Sequence, residues 1–163
     1  MNQFVNWHNE ILGNKVVKAL EKNNFTAAYF ENRADATEHI LGMIPKSATV
    51  GIGGSSTVEE LGLTKQLESV GNTIFNHNKP GLSPEEKLAM RRKQLTCDVF
   101  LSSTNAITLD GRLVNVDGAG NRVASMIFGP KQVIVVVGIN KIVKNTAEAE
   151  QRIKLYAAPI NNK

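Results

Sequence analysis

Short β-branched runs alternate along this chain with segments of helical periodicity, and that alternation limits the possible folds more than any single motif does. Apolar positions at Phe4, Trp7, Ile11, Leu12, Val16, Ala19 and Leu20 predict an amphipathic helix over residues 2–22, with Trp7 as a packing anchor and Asn23-Asn24 as the stop. A short strand is expected at 27–30, then a helix over 33–43 ended by Pro45, then a strand at 49–52. A helix over 61–70 stops at Gly71-Asn72 and leads to a strand at 73–75. His77 to Gly81 reads as a polar loop, and Ser83-Pro84-Glu85-Glu86 as a capping box with Pro at the first helical position. The helix it opens runs to about Leu95. These alternations predict an α/β fold with an open, mainly parallel sheet flanked by helices, in a single domain over residues 1–163.

Beyond residue 98 the pattern changes. A strand at 98–101 ends in Ser102-Ser103-Thr104-Asn105, and two short strands flank Asp110-Gly111, a two-residue β-hairpin signal. Residues 123–128 read as a short helix closed by Gly129-Pro130. The run Val133 to Val137 is apolar enough to be buried on both faces, which puts it at the sheet centre. A last helix is expected over 146–158.

Two glycine-rich polar segments each lie between a strand and a helix. In the first, Gly51, Gly53, Gly54, Ser55, Ser56 and Thr57 follow the strand at 49–52. Backbone amides at such a turn can converge on one point, where a helix N-terminus favours an anion; an ordinary Ser-capped turn is the alternative. The second runs through Asp117, Gly118, Gly120, Asn121 and Arg122. Open parallel sheets bind ligands at the carboxyl ends of their strands, so these segments, with Thr104 and Asn105, are candidate ligand-binding residues. Arg122 is suited to a phosphate or carboxylate. Glu59, Glu60 and Asp117 are the candidate acids or bases, against plain helix-dipole and turn roles. Neither a GxGxxG fingerprint nor a phosphate-loop lysine is present, and no nucleophile–base pair is legible.

Composition narrows the partners. A net charge of +4 and pI near 9.3 raise nucleic acid as a partner, but Arg91-Arg92-Lys93 is the one tight basic cluster and follows Glu85-Glu86 on a helix. Two Tyr and one Trp make no base-stacking platform, so a regulatory or nucleic-acid-binding module ranks last. The single cysteine, Cys97, excludes an internal disulfide and reads as a buried thiol. His8, His39 and His77 lack metal-ligand spacing, and no metal site or cofactor is evident. Neither a signal peptide nor a membrane span is expected, which makes the cytoplasm the default.

Several segments together resemble a known family. Val50 to Ser55 with Glu59-Glu60-Leu61-Gly62, Thr104 to Gly111, Leu113 to Gly118, Gly120 to Ala124 and Val136 to Val143 look like the LUD domain, the bacterial lactate utilization family of LutC/YkgG type. The resemblance covers residues 7–161. It implies a fold similar to ribose phosphate isomerase A, glucosamine phosphate deaminase and the CoA transferases, whose relatives bind phosphate or substrate at the loop matching Gly53 to Thr57. It implies an accessory protein or subunit in oxidation of L-lactate to pyruvate, binding an anionic small molecule, with iron–sulfur clusters on partner proteins; an oligomer is compatible with this. Longer members carry a cysteine-rich tail beyond the equivalent of Asn162, which this sequence lacks. The sugar-phosphate enzymes use an acidic residue where Asn105 stands, so their isomerase chemistry does not transfer. A free-standing enzyme on a phosphorylated or CoA-linked substrate is the alternative.

Overall fold

The computed structural model describes residues 3–161. In chain order the elements are α1 (Gln3–Lys22), α2 (Arg33–Met43), β1 (Thr49–Ile52), α3 (Ser56–Glu60), α4 (Leu63–Ser69), β2 (Thr73–Asn76), α5 (Pro84–Gln94) and β3 (Val99–Ser102). They continue as β4 (Ala106–Thr108), β5 (Leu113–Val114), α6 (Asn121–Ile127), β6 (Gln132–Val135), β7 (Ile142–Val143), α7 (Thr146–Arg152) and α8 (Ala158–Asn161). The chain folds as two compact units interleaved in sequence. One takes residues 37–103 and 117–136, the other the chain up to 36, residues 104–116 and the chain from 137 onward.

The unit of residues 37–103 and 117–136 is built on a four-stranded sheet in the order β2-β1-β3-β6, with all three pairings parallel. Its core gathers Ile40, Ile44, Val50, Ile52, Val58, Leu63, Leu67, Val99 and Leu101 from helices and strands. Each such side chain contributes about 1.5–3 kcal/mol on burial. The chain is therefore an α/β protein with an open, mainly parallel sheet flanked by helices, as its alternation predicts.

Details differ. The expected helix over 61–70 begins earlier and breaks: α3 and α4 are separated at Gly62, which has φ +64°. The apolar run 133–137 does not lie at the sheet centre, because β6 is an edge strand and only Ile134 in it is buried. Hydrophobicity reports covered faces, not lateral position. Within this four-stranded sheet the fully buried positions are all of β3 and most of β1.

In the other unit, β5-β4-β7 form a small sheet in which β4 runs antiparallel to β5 and parallel to β7. The hairpin loop has three residues, not two. Gly111 N donates to Thr108 O at 2.9 Å, Thr108 N donates to Arg112 O at 3.0 Å, and Gly111 takes φ +80°. That is a turn closed by a left-handed residue, which glycine adopts without strain. No strand forms at 27–30. Tyr29 instead packs its ring onto α1 at Gly13, where a Cβ would lie 2.3 Å from Tyr29 Cδ2. Trp7 is not a buried anchor but 61% exposed, and the expected start of its helix at Asn2 lies outside the described residues. The final helix passes through a π-helical turn, Ile153–Ala157, in which Ala158 N donates to Ile153 O. Pro159, with no N–H and a ring that crowds the preceding turn, accounts for that widening.

Candidate functional site

The parallel register brings the carboxyl ends of neighbouring strands to one level: Ile52 pairs with Asn76 on one side and with Leu101 on the other. Polar residues follow at each end, Gly53-Gly54-Ser55 after β1, His77-Asn78 after β2, and Ser102-Ser103 at the end of β3. Gly53 N continues the ladder by donating to Leu101 O at 2.9 Å. A Cβ on Gly53 would lie 2.5 Å from Phe100 Cζ and 3.0 Å from Ser102 Oγ. One on Gly54 would lie 3.0 Å from Asn78 Nδ2 and 3.8 Å from the His77 ring. The first glycine loop is thus flanked on both sides by polar side chains of the adjacent strands.

The second loop reaches the same edge through Arg122, whose Nη1 donates to Ser103 O at 2.9 Å. Its Nη2 lies 2.6 Å from Asp117 Oδ1, with the two side chains 13% and 8% exposed. The other carboxylate oxygen of Asp117 accepts from Val123 N at 2.7 Å. Asp117 therefore anchors the first turn of α6 and orients Arg122, the cap role rather than that of a poised acid or base. Gly118 and Gly120 are exposed, and the Asn121 carbonyl accepts from Ser125 Oγ at 3.0 Å.

The remaining candidates divide. Gly51 lies inside β1, where a Cβ would come within 3.0 Å of Cys97 Sγ and Phe100 Cδ2, so close packing accounts for its glycine. Ser55 is the N-cap of α3, its Oγ accepting from Val58 N at 3.4 Å. Since α3 has five residues, it brings little macrodipole to the loop, and the dipole argument carries less than the sequence suggested. Ser56, Glu59 and Glu60 are exposed, and Thr57 is half-buried. Thr104 and Asn105 belong to the unit of the hairpin. There the Thr104 hydroxyl faces Ala106 O at 2.9 Å and Val114 O at 3.1 Å, while Asn105 Oδ1 accepts from Val116 N at 2.9 Å and its carbonyl from Arg152.

The LUD domain family model matches residues 13–163. The chain belongs to the LUD domain family. That places it among proteins associated with lactate utilization in general. No curated protein and no solved structure matches it. The LUD match takes in segments of both compact units.

His77 is the residue of this LUD chain's sheet edge that sequence reading passed over. It is buried, and its Nδ1 lies 3.0 Å from Nε2 of the fully buried Gln94. Burial foremost, then the Arg91 guanidinium, pushes its ring below the usual histidine range. A readable signal existed: His77 follows β2 at the level where Gly53 follows β1. Cys97 is a free, buried thiol pushed up by burial. Among the described residues, no group of three His, Cys, Asp or Glu is arranged to hold a metal ion, and no helix is long and apolar enough to cross a membrane.

Proposed function

We propose that this LUD protein is an accessory protein or subunit in bacterial oxidation of L-lactate to pyruvate, and that it binds an anionic small molecule at the carboxyl edge of β2-β1-β3-β6. The observation that carries this reading is the gathering of Gly53 to Ser55, His77, Asn78, Ser102 and the Arg122-bearing loop at neighbouring strand ends. Such edges are the usual ligand positions of open parallel sheets. The state of the carboxylates supports binding over acid–base chemistry: Asp117 is engaged by Arg122 and Val123 N, and Glu59 and Glu60 face solvent. In this reading iron–sulfur partner proteins handle the electrons.

A thermal-shift screen with L-lactate, pyruvate, inorganic phosphate, sugar phosphates and CoA esters tests the site. A ligand at a hundred times its dissociation constant stabilises by about 2.7 kcal/mol. Lactate or pyruvate is expected to raise the midpoint; a response confined to phosphorylated or CoA-linked compounds replaces the reading with that of a free-standing enzyme. Co-purification from a native host grown on lactate is expected to return iron–sulfur proteins. Their absence, with unchanged growth on lactate after deletion, removes the accessory role.

A further inference from the structure

Phe4, Trp7 and Ile11 are 78%, 61% and 50% exposed on α1, although the helix buries Gly13 and Val16 on its other side. At about 100° per residue, these three share one stripe with Lys15, Lys18 and Lys22. Apolar side chains take the first half of the stripe and ammonium groups the second, over about 27 Å of helix. The three lysines are exposed, and among the described residues none of them makes an ion pair. Lys18 stands three positions from Lys15 and four from Lys22, spacings at which like charges repel on a helix surface. Lys22, in the last turn, complements the helix dipole, whereas Lys15 and Lys18 lie upstream of that turn.

Most of the stripe lines a groove of about 840 Å³, closed on the other side by Leu109 and Asp110 of the hairpin. Its walls are held together at one end. Asn23 Nδ2 donates to Asp110 O at 2.9 Å and to Gly111 O at 3.0 Å, and a Cβ on Gly111 would lie 2.7 Å from the Ala19 carbonyl carbon. All of these residues belong to the compact unit of the hairpin, not to that of the four-stranded sheet. The family match begins at residue 13, so Phe4, Trp7 and Ile11 lie ahead of the matched residues. A contiguous row of exposed apolar side chains with polar neighbours marks an interaction surface.

We propose that this stripe docks an acidic amphipathic helix of a partner protein, with apolar side chains against Phe4, Trp7 and Ile11 and carboxylates against Lys15, Lys18 and Lys22. The order of the stripe, apolar then basic along a straight helix, suits a second helix laid lengthwise in the groove. Charge complementarity selects the partner and its direction. Glu10 lines the groove beside Trp7 and Ile11 and repels a carboxylate there, so the acids belong at the lysine end. A second copy of α1 fits poorly. Laid parallel it sets lysine against lysine, and laid antiparallel it sets lysine against the apolar half. An anionic bilayer fits less well than a helix, because a flat surface leaves the concave groove unfilled and meets the Glu10 and Asp110 carboxylates. The inference is independent of the ligand edge of the main sheet.

Trp7 is the single tryptophan of the chain, so its fluorescence reports on the groove directly. The probe is a synthetic helical peptide of about 18 residues, the length of the stripe, with leucines at helical spacing in one half and glutamates in the other. Titrated into the full chain, it is expected to shift Trp7 emission to the blue saturably, and to bind more weakly as salt rises. A peptide of the same composition with the two residue types interspersed is expected to bind about five-fold more weakly, and one with lysines for the glutamates not at all. By anisotropy of the labelled peptide, Trp7→Ala and the double variant Lys15→Glu with Lys18→Glu are each expected to weaken binding about ten-fold. These positions are exposed, and an unchanged urea midpoint confirms that the variants fold. Binding undiminished in the variants, equal binding of the lysine peptide, or no response of Trp7 to the acidic peptide overturns the inference. A blue shift with phosphatidylglycerol vesicles but not with the peptide makes the stripe a membrane face instead. A dimer in sedimentation that Trp7→Ala dissociates makes its occupant a second copy.

Discussion

At the amino ends of the main strands one carboxylate joins three of them, whereas the carboxyl ends of the sheet finish in glycines, hydroxyls and a buried histidine. Asp98 Oδ2 accepts from Thr49 N at 2.8 Å and Thr49 Oγ1 at 2.7 Å, and Oδ1 lies 2.7 Å from Lys131 Nζ. Asp98 N donates to Thr49 Oγ1 at 2.9 Å, and its carbonyl accepts from Gln132 N at 3.0 Å. The starts of β1, β3 and β6 are thereby tied together. At the opposite end, the Asp117–Arg122 pair holds one loop against Ser103, and the His77 ring lies beside Gly54. An edge whose polar groups satisfy one another stabilises the sheet and has nothing to offer a ligand. The other edge gathers polar groups of different strands on a rigid frame, which is what a pre-formed binding site requires.

The largest test falls on the pair that makes the carboxyl edge rigid. Asp117→Ala removes the carboxylate that balances Arg122 at a mostly buried position and the acceptor of Val123 N, and is expected to cost about 3–5 kcal/mol by urea denaturation. A loss below about 1 kcal/mol would place this pair with ordinary surface ion pairs, and the edge would not be pre-formed. Gly53→Ala comes next, at about 1–3 kcal/mol, because its Cβ would meet the fully buried Phe100 ring at 2.5 Å. The larger Gly53→Val would therefore report on folding as much as on binding. Gly120→Ala is gentler. It meets no atom within 4 Å and pays only for its φ of +75°, about 1 kcal/mol, with pyruvate binding by calorimetry retained. A cost as large as that of Gly53→Ala would show that the two loops are equally constrained.

Local signals were legible where caps and turns carry their own chemistry. Pro45 ends α2 where the periodicity predicts, and Ser83 forms both halves of its capping box with Glu86, at 2.8 and 3.2 Å. Signals that depend on distant partners were not. Residues 27–30 have strand composition but meet a helix at Gly13, and two-residue β7 is too short to show a period. In the site, the glycine loop stood out because its residue types are unusual in themselves. His77 did not, because its surroundings depend on Gln94, 17 positions away, which also reaches the carbonyls of Ile52 on β1 and Phe75 on β2. Asp117 stood out as a charge, but only the fold shows it committed to Arg122.

The smallest effect at neutral pH, and the one that isolates the amino edge, is expected from Asp98→Asn. Lys131 first, then the Thr49 amide and hydroxyl, hold the Asp98 carboxyl well below the usual carboxylate range. Its folded value is thus below the unfolded one, near about 3.9, so the unfolded chain binds more protons in acid. The stability this carboxylate contributes is fully present above about pH 4 and is lost as pH falls through the folded value. Wild-type urea midpoints should therefore decline more steeply below pH ~4 than those of Asp98→Asn, and the two curves should converge at the acid end. Because Lys131 is 83% exposed, added salt should narrow the gap at pH 7. Asp98 lies at the far end of β3 from Ser102, so the substitution should leave pyruvate affinity at pH 7 unchanged within about two-fold. Parallel curves for the two proteins would mean that Asp98 does not hold the amino edge. A loss of pyruvate binding would mean that the two edges are not independent.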